Sequence, residues 1–561
     1  MGPMHSASPR NALGVFLVAQ TIVLCGLWTP SALAADTGVW KVAPQPPASW
    51  QRDRVADLTA RRKALMDQTG DKGILLLYAA EPRNYANDVD WPFRQENDFF
   101  YLTGLTQTGA VLAILPGAKT MREIVFLPKA DPSREAWTGH MYTPDEVRQI
   151  SGIKEVWDAG QLNAFVGTLI PRARAALAPP GEGRGGRAGA GAAASEGGGR
   201  GGRRGGGANP EHPEWATEFE NIIGAVGRSE GRLYMLLPQR QNSPEYHREQ
   251  EFAARIASTG PGIAIVDATP VLAKMRWVKS QRELDIIRHA VDITAEAFQR
   301  VYALAVPGTP EYEIQAQFEF TFLRRNAHWG YPCIVGSGVN ATTLHYQTNK
   351  ETIKEGDLLL MDDAAEFDGY SVDVTRTIPV NGKFSKEQAE IYRLVWEAQK
   401  AAIDRVRPGH VMSQKDDSVQ AAANRVFREG LFKLGLITDP ESDQQVRIWF
   451  NHGIGHSIGL NVHDPGQGEL QPGAVVTVEP GIYIRPDALE YLPKTPENEK
   501  FIAAVKPAFE KYKGIGVRIE DDVLVTNGAP VVMSGGIPSR LEDVESSIAA
   551  SRQALKRTPL P

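Results

Sequence analysis

Three of the chain's eleven histidines, His452, His456 and His463, fall in the window NHGIGHSIGLNVHD, Asn451 to Asp464. They stand four and seven residues apart among glycines, which argues against one smooth helical face and for a turn-rich site lining. Imidazoles gathered in this way suit metal ligation or proton transfer, and both tasks need carboxylate partners. Four carboxylates interrupt apolar runs on both sides of the window: Asp362 after LLLM, Asp373 in SVDVT, Glu479 in VTVEP and Glu520 in VRIEDD. A carboxylate among apolar strand residues costs several kcal/mol unless it is paired or bound to a cation. Any one of them alone reads equally well as a paired core acid. A group of them with histidines reads differently, because gathered carboxylates repel one another and a pair of divalent cations is the simplest remedy. An oxygen-rich set with one imidazole suits manganese, iron, cobalt or zinc, and spacing does not rank these.

The elements that must position these groups are runs of β-branched and apolar residues bounded by turns. CIVGSG (Cys333 to Gly338), DLLLMDDAA (Asp357 to Ala365), SVDVTRTIPV (Ser371 to Val380), AVVTVEPGIYI (Ala474 to Ile484) and GVRIEDDVLVT (Gly516 to Thr526) are each expected to form a strand. Lys279 to Ala305 is an amphipathic helix, with Ser280 as its cap and Glu283 as the capping-box partner. Further helices are expected over Glu311 to Asn326, between Ser385 and Leu434, and over Glu497 to Tyr512. Together they predict an α+β domain over residues 273–548.

Ahead of it, residues 47–270 read as a smaller α/β domain. GILLLYAA (Gly73 to Ala80), AVLAILP (Ala110 to Pro116) and EIVFLP (Glu123 to Pro128) are its buried strands, and Val55 to Thr69 and Pro144 to Ser151 its helices. The aromatics of FRQENDFFYLTG, Phe93 to Gly104, read on composition as a packed strand and turn. Pro180 to Pro210 is so rich in glycine and alanine that it cannot offset its chain entropy, and a disordered loop is expected. Its arginines resemble those of RNA-binding tails, but the run lacks aromatics for stacking. Residues 1–34 read as an export signal: Arg10, the apolar run Leu13 to Trp28 and the Ala32-Leu33-Ala34 cleavage pattern imply a periplasmic or secreted protein starting near Ala35. The apolar run is short for a membrane anchor, and Leu24 is bulky for a lipoprotein acylated at Cys25. No later segment is apolar enough to span a bilayer, so no stable span is expected after signal removal. The net charge of −6 gives no reason to expect a nucleic-acid partner. Of the two cysteines, processing leaves Cys333, so no intrachain disulfide is expected. A homo-oligomer is compatible with this composition.

Asp362, Asp373, His456, Glu479 and Glu520 resemble, in order and local sequence, the five metal ligands of the dinuclear pita-bread aminopeptidases. The blocks GDLLLMDDAAEFDGYSVDVTRT, HGIGHSIGLNVHD, TVEPGIYI and GIGVRIEDDVLVT, with FRQENDFFYLTG upstream, are similar to those of aminopeptidase P and prolidase over about Trp50 to Ile548, the glycine-rich run excepted. The resemblance implies a pita-bread catalytic domain behind an aminopeptidase P/creatinase-type domain. It implies two divalent metal ions, manganese as first choice, with Asp373 and Glu520 bridging, Asp362 on one ion, and His456 with Glu479 on the other. His345, in TTLHYQTN, resembles a histidine near the leaving group, His463 one that stabilises the gem-diolate, and His452 one that lines the proline pocket. Arg518 would orient a ligand carboxylate.

The implied reaction is removal of the N-terminal residue from peptides with proline second. Paired metals lower the pKa of water from about 15.7 towards neutrality, giving a bridging hydroxide, and Glu479 would accept the nucleophile's proton. Aromatic and histidine walls are expected around the proline ring. Two departures stand out. Glu479 and Glu520 are 41 residues apart, longer than in compact members, and the extra segment, Pro486 to Lys513, is a candidate wall of the entrance. Asp363 stands where the family has a small residue, and should face away from Asp362 unless it competes as a ligand. Prolidase, acting on Xaa-Pro dipeptides, is the alternative, with FRQENDFFYLTG favouring aminopeptidase P. A catalytically dead binding protein is disfavoured because all five ligands are present.

Overall fold

The apolar runs of the first half assemble into a six-stranded mixed sheet. From edge to edge its strands are Glu155–Asp158, Glu123–Leu127, Val111–Ile114, Gly73–Tyr78, Gly231–Met235 and Ile263–Asp267. The computed structural model describes residues 40–177, 213–238, 246–260, 262–466 and 468–557, so the expected signal at 1–34 and the glycine-rich run 180–210 lie outside it. Gly73–Tyr78 is buried at every position because both sheet faces are covered. Ile74 and Leu76 pack with Phe126, Phe165 and Phe252. Leu75 and Leu77 join a larger core that runs into the helix Gln281–Leu304 of the second half.

Phe93 to Gly104 departs from the strand-and-turn expectation. Asn97–Thr103 is a helix, capped by the Glu96 carboxylate, which accepts from Phe99 N at 2.7 Å, and ended by Gly104 at φ 67°. Phe99, Leu102 and Thr103 share its buried side, a spacing of three and four residues that a strand could not place on one face.

In the second half, Gln281–Leu304 carries the Ser280 and Glu283 capping box read from its sequence. It packs against Glu311–Arg324 and the C-terminal helix Leu541–Arg557, while Lys386–Ile403 packs on Val419–Leu434. Between these helices lie small antiparallel sheets, and every acidic run expected as one strand is divided beside its acid. Leu358–Asp362 stops before Ala365–Phe367; Tyr370–Ser371 and Thr375–Pro379 flank Asp373; Val475–Val478 and Gly481–Tyr483 flank Glu479; Gly516–Arg518 and Asp521–Leu524 flank Glu520. An unbroken strand would send alternate side chains to opposite faces, whereas a kink frees each carboxylate to be re-aimed. The interrupted backbone remains bonded: Glu520 N donates to Thr375 O at 3.1 Å, and Glu479 N to Ile454 O at 2.9 Å.

The extra segment leaves the pair Gly481–Tyr483 and Gly516–Arg518 and returns to it. Ile484 N donates to Ile515 O at 2.9 Å and Gly514 N to Ile484 O at 2.7 Å, closing the excursion at its root. Its helix, Pro496–Tyr512, buries Phe501, Val505 and Phe509, with Phe509 6.2 Å from the Trp449 ring. Lys511 and Tyr512 both donate to Glu390. No residue of 486–513 lines the cavity described below. Among the described residues no helix is long and apolar enough to cross a membrane, and Cys333 is a buried free thiol.

Candidate metal centre

His456 is placed by the turn that precedes it. Gly455 adopts φ 154°, and a Cβ there would stand 2.1 Å from Thr477 O, so the backbone approaches the strand Val475–Val478 as only glycine permits. Thr477 then fixes His456 from both sides: its N donates to His456 O at 2.8 Å, and its Oγ1 accepts from His456 N at 3.0 Å. Asp373, His456 and Glu520 each offer a ligand atom within 4.8 Å of the others. His456 Nε2 lies 3.4 Å from Asp373 Oδ2 and 3.6 Å from Glu479 Oε1.

Asp362 completes the acid set from the end of its strand. Its Oδ1 accepts from Tyr331 OH at 2.6 Å and its Oδ2 from Arg518 Nη2 at 2.6 Å. Arg518 also donates from Nε to Thr375 Oγ1 at 3.0 Å and from Nη1 to Tyr483 OH at 3.0 Å. Thr375 in turn donates to Glu520 Oε2 at 2.6 Å, so Arg518 bears directly on Asp362 and, through Thr375, on Glu520.

His452 Nε2 lies 2.8 Å from Tyr483 OH, and the rings of His456 and His463 meet edge to face at 4.1 Å. Asp362, Asp373, His456, Glu479, Glu520, His345, His452, His463 and Arg518 all line one cavity of about 440 Å³. Its apolar walls are the aliphatic Ile334, Leu344 and Val462, with Tyr331 as the aromatic contribution, so the expected aromatic walls are largely aliphatic instead.

The electrostatics are those of an anionic site closed against itself. Burial, then Asp362 and Glu479, drive the Asp373 carboxyl well above the usual range. Burial, then Asp373 and Asp362, do the same to Glu520, and burial followed by Glu520 pushes Glu479 up to about 8. Asp373 Oδ1 is buried with no hydrogen-bond partner. Hard oxygen donors, one imidazole and an orphaned carboxylate oxygen form a donor set that fits divalent cations. His452 is pushed down to about 3 by burial and by the Arg518 charge, which keeps it neutral. Burial, then His456, also lowers His463.

Tyr331, Tyr483 and Thr375 escaped sequence reasoning. A tyrosine in GIYI or a threonine in VTRT carries no signal of its own, because each acts only across a sheet. Asp363 does not line the cavity; both its carboxylate oxygens are buried without a hydrogen-bond partner, and burial raises its carboxyl well above the usual range.

The model of metallopeptidase family M24 matches residues 285–527, and that of the aminopeptidase P N-terminal domain matches 58–177. The chain is 32% identical over 497 residues to the Xaa-Pro aminopeptidase of Haemophilus influenzae, covering 87% of this chain and 95% of that one. The solved aminopeptidase PepP of Pseudomonas aeruginosa aligns with a TM-score of 0.68 at 30% identity, over 91% of this chain and 99% of that one. Aminopeptidase P from Escherichia coli, solved with the inhibitor Pro-Leu, aligns with a TM-score of 0.68 at 28% identity, over 89% and 98%. With an M24 metallopeptidase domain behind an aminopeptidase P N-terminal domain, and the acid and imidazole cluster at the floor of its cavity, the chain belongs to the aminopeptidase P family of pita-bread metallopeptidases, which are hydrolases.

Proposed function

We propose that this protein is an exported Xaa-Pro aminopeptidase that works with two divalent cations, manganese first among them. The observation that carries the reading is the closure of Asp373, His456 and Glu520 within 4.8 Å at the floor of a cavity whose walls hold three further histidines. Asp362, Asp373, His456, Glu479 and Glu520 would hold the two ions. Bound there, divalent cations supply Lewis acidity and a hydroxide nucleophile at neutral pH.

The protein's own groups do the rest. Glu479 takes the proton of the attacking water and returns it to the leaving imino nitrogen. His463 donates to the oxyanion that forms at the scissile carbonyl. Neutral His452, 2.8 Å from Tyr483 OH, and the aliphatic wall of Ile334, Leu344 and Val462 receive the pyrrolidine ring, with His345 near the leaving group. Arg518 holds Asp362 by its 2.6 Å hydrogen bond, and so acts on ligand geometry.

Cleavage of an Xaa-Pro-Yaa tripeptide that chelation abolishes and manganese restores is the expected result. Activity on an Xaa-Pro dipeptide alone would make the protein a prolidase, and silence on both peptides from a protein that takes up no metal when manganese is added would overturn the enzyme reading. Export rests on the signal pattern of residues 1–34 and is tested by fractionating cells that express the full chain: retention in the cytoplasm with Ala34 still attached would overturn it.

A further inference from the structure

His463 sits on a loop that the N-terminal domain grips at two places. Ser457 and Asp464 pair across the base of this loop, Asp464 N donating to Ser457 O at 2.9 Å, with His456 immediately before it and His463 just inside it. At its tip, Leu460 O accepts from Arg94 Nη2 at 2.6 Å. Arg94 belongs to the block Phe93 to Gly104 and is itself steadied by Asn97 Oδ1 at 2.7 Å and Glu366 Oε2 at 2.9 Å.

At the base, the Asp464 carboxylate accepts from Arg276 Nη2, from Lys279 Nζ at 3.1 Å and from Asn461 N at 3.2 Å. Arg276 Nη1 donates in turn to Asp98 Oδ1 at 2.8 Å, on the helix Asn97–Thr103 of the N-terminal domain. The side chains of Asp98, Arg276, Lys279 and Asp464 are exposed by 8%, 5%, 1% and 1%, so charges of both signs are locked together out of water. A Cβ on Gly459 would stand 2.6 Å from Asp464 Oδ2 and 3.0 Å from Lys279 Nζ, so the loop is seated directly on this chain.

We propose that the N-terminal domain is part of the catalytic apparatus: Arg94 at the tip, and the Asp98, Arg276 and Asp464 chain at the base, hold the loop so that His463 stands over the acid cluster. Arg94 and Asp98 are positioning residues and touch no substrate. The inference rests on the reading of His463 as a group that meets the substrate. An error in placing such a group is expensive in rate while leaving binding little changed, which predicts a loss in kcat rather than in KM.

The test uses the full-length, manganese-loaded protein. Arg94 is 47% exposed, so Arg94→Ala leaves the buried chain intact; Asp98→Asn breaks the other grip, and Arg54→Ala removes a different bridge between the domains, to Asp368. The expected result for Arg94→Ala is a kcat on the tripeptide about tenfold lower with KM unchanged, no further loss when it is combined with His463→Ala, and faster amide hydrogen exchange confined to residues 457–464. Arg54→Ala lowers neither kcat nor loop protection. Wild-type kcat and loop protection in both Arg94→Ala and Asp98→Asn would overturn the inference, as would losses that multiply in the His463→Ala background. Should the wild-type protein cleave no Xaa-Pro peptide, the functional reading falls, and hydrogen exchange alone decides whether the two grips order the loop.

Discussion

Burial, and after it the charge of neighbouring acids, raises Asp373, Glu479 and Glu520, and this sets how the metal-free protein responds to pH. Glu479 is pushed up to about 8 from an ordinary value of 4.5, so between these limits the native state holds a proton that the unfolded chain has released. A native state that binds more protons than the unfolded one loses stability as pH rises. The melting temperature of chelated protein should therefore fall as pH climbs from about 4.5 to about 8, and less steeply in Glu479→Gln. Parallel curves for the two proteins, followed by circular dichroism, would refute this account. Asp373 is the most exposed to a direct test, since its Oδ1 is buried with no partner and it lies 3.4 Å from His456 Nε2. Asp373→Ala should lower metal content, measured by elemental analysis after dialysis, by at least one equivalent of the proposed two. Retention of the full complement would remove Asp373 from the ligand set.

At the scale of the element, the site is made from interruptions. Gly455 brings the chain against Thr477 O, where a Cβ would stand at 2.1 Å, so Gly455→Ala must push His456 away from the cluster or distort the strand. We expect a loss of about 2–4 kcal/mol in denaturant unfolding, with weakened manganese binding by calorimetry. Unchanged values would mean the turn relaxes freely. The sequence carried the local part of this architecture well, because local signals sit in consecutive residues: Ser280 and Glu283 announce their capping box, and the run of apolar residues at Gly73 announces a strand buried on both faces. The divisions beside Asp373, Glu479 and Glu520 were not legible, since an apolar run with one acid looks continuous until neighbouring strands claim its hydrogen bonds. For the same reason Tyr331, Tyr483 and Thr375 passed unnoticed. Their partners lie 31 to 145 residues away in sequence. The helix Asn97–Thr103 was missed because seven residues are too few to display a helical period against a background of aromatics.

For the whole molecule, the joint between domains combines a shared apolar core with buried charge. Breaking such a network is costly because the remaining ions keep their burial and lose their partner. Asp98→Ala should lower unfolding stability by about 3–5 kcal/mol. Removing the exposed pair Lys63 and Asp67, 2.7 Å apart, should change it by less than about 0.5 kcal/mol. Equal effects of the two, in urea unfolding, would mean that the buried network is no more than surface pairing. The excursion from Ile484 to Ile515 has a different kind of consequence. Its two ends are stitched to each other at Ile484, Gly514 and Ile515, so its length is uncoupled from the positions of Glu479 and Glu520. A polypeptide could be grafted at the exposed Tyr491, a fluorescent reporter or an affinity handle for instance, and the catalytic floor would not register the addition. The same hairpin root makes the excursion a port through which surface can be added without renegotiating the chemistry.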